Sequence, residues 1–102
     1  MKLKLLCITP IDHISNLKQQ IEKDFDLVYL PDPSSDDVKK NNDASIIFTN
    51  PNKTKVFLDH NLLKDFHNLR IITTASTGTV HIDKNYCKKS NIKVISITKE
   101  ID

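Results

Sequence analysis

The sequence predicts an α/β fold: a five-stranded parallel, flavodoxin-like open sheet with helices on both faces. Two observations carry this. Five short apolar runs alternate with four polar, helix-compatible stretches, the rhythm of repeated β-α-β units. The most apolar run, ASIIFT, lacks strict alternation, as a strand buried on both faces does. Right-handed crossovers then favour strand order 2-1-3-4-5, with ligands collecting at the carboxyl ends of the strands.

The elements follow in order. LKLLCI (3–8) is a first strand, stopped by Thr9-Pro10. In 14–25, Ile14, Leu17, Ile21 and Phe25 recur at three- and four-residue steps, which predicts an amphipathic helix. DLVYL (26–30) is a second strand, closed by PDP. Ser34 or Ser35, followed by Asp36 and Asp37, starts a short helix through Lys40. The third strand is 44–49, followed by the polar loop NPNKTK (50–55). A helix over 58–66 shows Leu58, Leu62, Leu63 and Phe66 on one side. LRIITTA (69–75) is the fourth strand and STGTVHID (76–83) a loop. Asp83 caps a helix over 83–90, and IKVISI (92–97) is the fifth strand.

Composition narrows the function classes. A chain of 102 residues is one domain, 1–102, with a modest stability margin. The net charge of +2 comes from scattered lysines, with no basic run interleaved with aromatics, so no nucleic-acid partner is expected. No stretch reaches the length of a membrane span, and the apolar start is too short for a signal peptide. Cys7 and Cys87 stand apart and outside any CxxC, as expected of reduced, packed thiols. A soluble, cytoplasmic protein is the expectation.

The chemistry-bearing motifs are few. His13, His60, His67 and His81 form no HxxxH or HExxH pair, so no metal site is expected. His81 precedes a helix cap, where a packing or hydrogen-bonding role outweighs a ligand-facing one. With one glycine, Gly78, neither GxGxxG nor GxxxxGK[ST] exists in the chain. A phosphoacceptor receiver would need an acidic pair after the first strand and an aspartate ending the third, but Thr9-Pro10 and Thr49-Asn50 stand there. Three loops leave carboxyl ends of strands: Thr9-Pro10, Asn50-Pro51-Asn52 and Ser76-Thr77-Gly78. At Gly78 a tight turn and a close backbone approach to an anion both remain open.

The stretch LRIITTASTGTVHIDKNYCKKSNIKVISIT (69–98) resembles the D-isomer-specific 2-hydroxyacid dehydrogenases, where their N-terminal substrate-binding domain closes. SIIFTNPNKTKVFLDHNLLKDFHNLRII (45–72) fits the preceding portion, while over 1–43 only the β-α-β rhythm matches. The resemblance implies that backbone amides of Thr77 and Gly78 hold a substrate carboxylate, with Asn50 and Asn52 bordering the cleft. Amides aimed at a carboxylate make charge-assisted bonds, and side-chain bulk would block the approach. Asp83 would be the structural helix cap.

The resemblance further implies an NAD- or NADP-dependent oxidoreductase acting on a small 2-oxo or 2-hydroxy acid, with hydride transfer completed by a second, NAD-binding domain. The catalytic histidine, its acidic partner and the substrate-gripping arginine lie beyond the first domain in that family. Arg70, in the fourth strand, does not match that arginine. The chain is therefore expected to be the substrate-binding half of such an enzyme, truncated or naturally short and inactive alone. Its expected partners are the acid, the missing NAD-binding domain and, as a homodimer, a second copy. The alternative is a non-enzymatic small-acid or protein-binding module reusing the fold.

Overall fold

The structure is a computed structural model that describes residues 2–50, 56–74 and 81–96. Five strands, β1 (Leu3–Cys7), β2 (Phe25–Tyr29), β3 (Ile46–Thr49), β4 (Ile71–Thr74) and β5 (Lys93–Ser96), form one sheet in the order β2-β1-β3-β4-β5. Every pairing is parallel. The order and direction are those expected of the flavodoxin-like α/β fold. Leu5 lies opposite Leu27 on one side and Ile46 on the other, and Ile72 lies between Ile47 and Val94.

The side-chain period of two sorts the strands onto two faces. Leu6, Ile8, Ile47 and Ile72 point to one face, where Val38 of α2 (Ser35–Lys39), Leu62 and Leu63 of α3 (His60–Leu63) and Cys87 of α4 (Lys84–Lys89) complete the larger core. Leu5, Cys7 and Ile46 point to the other, with Leu17 and Ile21 of α1 (Leu17–Asp24) packed on them. Among the described residues, three helices thus cover one face and one helix the other. Beyond α1, Phe48 and Ile71 are half-buried and Ile95 is exposed.

The helices are shorter than their apolar spacing suggests, and each boundary has a local cause. Asn16 takes a left-handed conformation (φ 62°), so α1 starts at Leu17 and Ile14 stays exposed. Phe25 continues the helical period in sequence but is extended (φ −131°, ψ 152°) and begins β2. It joins the same apolar cluster as Leu17 and Ile21, from a strand. Leu58 is not helical either. It forms an isolated parallel bridge with Ile82 and is fully buried.

Caps hold the short helices. Ser34 and Asp37 form a reciprocal capping box at α2: the Asp37 amide donates to Ser34 Oγ and the Ser34 amide donates to Asp37 Oδ2, each at 3.1 Å. Asp59 Oδ1 accepts from the Leu62 amide and Asp83 Oδ1 from the Tyr86 amide, both at 3.1 Å. At the end of α4, the Ile92 amide donates to Cys87 O (2.8 Å) and the Asn91 amide to Lys88 O (3.4 Å) around a left-handed Asn91. That is a Schellman turn with asparagine where glycine usually stands. No helix among the described residues is long and apolar enough to cross a membrane.

Candidate functional site

A parallel sheet of this order leaves a crevice beyond the carboxyl ends of β1 and β3, where the strand order reverses. Each of the three central strands runs from an apolar stretch into a threonine at that edge. Thr9, two residues past β1, Thr49, ending β3, and Thr74, ending β4, are all at most 1% exposed. Thr49 and Thr74 are register partners on adjacent strands. By the alternation of each strand they share the face that carries α2, α3 and α4.

His81 approaches the same edge from the α4 side. Its Nε2 is 3.2 Å from Thr49 Oγ1. Its backbone is pinned by the Leu58–Ile82 bridge: the Leu58 amide donates to His81 O (2.8 Å) and the Asp83 amide to Leu58 O (2.9 Å). Burial pushes the imidazole below its ordinary pKa, so it is neutral at pH 7. Its Nδ1 is buried without a hydrogen-bond partner among the described residues, as is Thr9 Oγ1.

On the β2 side the edge is closed by side chains. The Ile11 amide donates to the Tyr29 hydroxyl (2.9 Å), which donates to Asp12 Oδ2 (3.1 Å). Lys18 Nζ stands 4.9 Å from the centre of the Tyr29 ring. The turn after β1 therefore presents Pro10, which has no N–H, an Ile11 amide already used, and a carboxylate.

Of the residues singled out from sequence, Asn50 lies half-buried at the carboxyl edge, directly after β3. Asn52, Thr77 and Gly78 lie outside the described residues. Arg70 is exposed just before β4, at the amino-terminal edge, where its amide donates to Ser45 O. It is remote from any site at the carboxyl edge. Among the described residues no cluster of three metal-ligating side chains occurs. The Thr49–His81 pair was not paired by sequence reasoning. Its signal was a repeated ending, with IIFT and IITT each finishing a strand in threonine.

The comparisons with known proteins agree with this architecture. The model of the D-isomer specific 2-hydroxyacid dehydrogenase catalytic domain matches residues 7–100. No curated protein matches the chain. Among solved structures, the D-lactate dehydrogenase of Aquifex aeolicus, complexed with NAD and lactic acid, is 29% identical. The match has a TM-score of 0.71 and covers 91% of this chain and 27% of that one. A glyoxylate reductase from Paecilomyes thermophila is 18% identical, with TM-score 0.79 over 95% of this chain and 32% of that one. The NAD+-bound 3-phosphoglycerate dehydrogenase of Entamoeba histolytica is 19% identical, with TM-score 0.78 over 94% of this chain and 33% of its own. The chain spans about a third of the length of these solved chains. By its match over nearly all of its length, the chain belongs to the D-isomer specific 2-hydroxyacid dehydrogenase catalytic-domain family.

Proposed function

We propose that this chain is the substrate-binding part of an NAD(P)-dependent D-2-hydroxyacid dehydrogenase. It holds the carboxylate of a small 2-oxo or 2-hydroxy acid at the carboxyl edge of its sheet. The backbone amides of Thr77 and Gly78 donate to the carboxylate, and Asn50 and Asn52 border it. The observation that carries this reading is the family match across residues 7–100. The position of Asn50 at the switch in strand order supports it.

NAD does not fit the residues present. A dinucleotide turn brings glycine amides up to a pyrophosphate between a first strand and its helix. Here that turn offers Pro10, the engaged Ile11 amide and the Asp12 carboxylate, which would repel a phosphate. The chain's one glycine lies elsewhere. The role derived for these 102 residues is therefore binding and orientation of the acid, and the chain alone turns nothing over.

The test uses the single glycine. Glycine-selective ¹⁵N labelling yields one backbone glycine signal, from Gly78. Titration with pyruvate, glyoxylate or hydroxypyruvate should move it saturably at millimolar levels, while NADH stays unconsumed. A folded chain whose Gly78 signal ignores all three acids would refute the binding role, and NADH turnover would refute the inactivity. A second reading, a non-enzymatic module that binds small acids or a protein, draws support from the sheet face that α1 covers only in part.

A further inference from the structure

We propose that His81 is a positioning residue. It holds the carboxyl end of β3, and with it Asn50, against the stretch leading into α4 while the imidazole is neutral. The geometry is a bridge with two footings. The main chain at 81–83 is tied to Leu58 by two hydrogen bonds of 2.8 and 2.9 Å. The side chain then crosses to a fully buried Thr49 hydroxyl at 3.2 Å. In sequence, His81 directly follows segment 75–80, and Asn50 directly follows Thr49. One hydrogen bond thus links Thr49, the neighbour of Asn50, to the residue that follows segment 75–80.

The chemistry makes this link sensitive to protonation. A neutral imidazole serves Thr49 in either tautomer, because a hydroxyl can donate or accept. A cationic imidazole must donate from both nitrogens, and Nδ1 is buried with no acceptor among the described residues. An unmatched buried donor carrying charge favours a ring that swings to water and releases Thr49. The titratable groups on the surrounding elements are Asp59 and His60 at the start of α3, and Asp83, Tyr86 and Cys87 at α4. None of them offsets the burial of His81, which alone accounts for its lowered pKa.

The bearing on ligand affinity rests on the proposed function, but the link can be read without ligand, so the two can fail separately. The experiment follows backbone amides and histidine ring signals by NMR between about pH 5 and 8. The His81 ring should titrate with a midpoint below its ordinary 6.5. The Asn50 and Gly78 amides should follow that same midpoint. In Thr49→Val, Asn50 should lose the dependence while Gly78 keeps it. In His81→Gln, both should flatten. An Asn50 amide that ignores the His81 midpoint, or that follows it equally in Thr49→Val, overturns the proposal. Should Thr49→Val fail to fold, Thr49→Ser must retain the coupling and His81→Gln must remove it; the opposite result overturns the proposal equally.

Discussion

Leu58 and Phe57 are neighbours on one short extended stretch, and the structure sets them an opposite fate. Leu58 is fully buried in the larger core, and Phe57 is 54% exposed. Leu58→Ala removes buried carbon from between Leu62, Leu63 and Ile82, in a spot whose backbone is held by the bridge to Ile82. A pinned backbone collapses little around a void, so the cost should sit near the middle of the usual Leu→Ala range, about 3–4 kcal/mol. A domain of this size is stable by about 5–15 kcal/mol, so that is a large share. With a urea slope of about 1.5 kcal/mol/M, the midpoint should fall by about 2 M. Phe57→Ala removes a larger side chain from the same stretch and should stay within about 0.5 kcal/mol. The assay is equilibrium urea unfolding followed by far-UV circular dichroism, with the slope compared between variants. A loss under about 1 kcal/mol for Leu58→Ala, or equal losses for the two variants, would refute the claim that this stretch is anchored through Leu58.

Four further outcomes follow from the caps and the thiols. Asp83→Ala should cost about 1 kcal/mol by freeing the Tyr86 amide, and Asp83→Asn should recover most of it, by the same urea assay. Asn91→Ala should cost about 1 kcal/mol because a β-carbon resists the left-handed turn, while Asn91→Gly should lie within about 0.5 kcal/mol of the parent. Cys7 and Cys87 should react with a disulfide reagent at pH 8 only on unfolding, since burial raises both thiol pKa values, Cys87 to about 11. The unfolded thiol ionises near 9.0 and the folded Cys87 thiol does not, so the unfolded state loses protons first. Stability should therefore fall as pH rises from 9 towards 11, and Cys87→Ala should weaken that slope.

The sheet was legible because burial on both faces writes itself as apolar runs. Each of the five runs became a strand, in the expected order. Helix ends were less legible, for reasons that act at single residues. Apolar spacing reports which side chains meet the core, and a strand residue can meet it as well as a helical one. Phe25 and Leu58 both carry the helical period and both are buried or half-buried outside a helix. Ile14 carries it and is exposed, because the left-handed Asn16 turns the chain before the helix begins. The Ser34 and Asp83 caps were readable, since a capping side chain bonds only a few residues along. The Thr49–His81 bond spans 32 positions and depends on the Leu58–Ile82 bridge, which no local pattern announces.

Asparagine in the left-handed turns at 16 and 91 has a consequence in the denatured chain. Every non-glycine residue has fewer backbone conformations open to it when unfolded, and each glycine avoided lowers the entropy lost on folding by about 0.4–1 kcal/mol. An ordinary domain of this length would carry about seven glycines. This one carries one. Its folded form accepts mild strain at two turns, and its disordered form is the stiffer for it, so part of its resistance to unfolding resides in a state that makes none of the contacts described above.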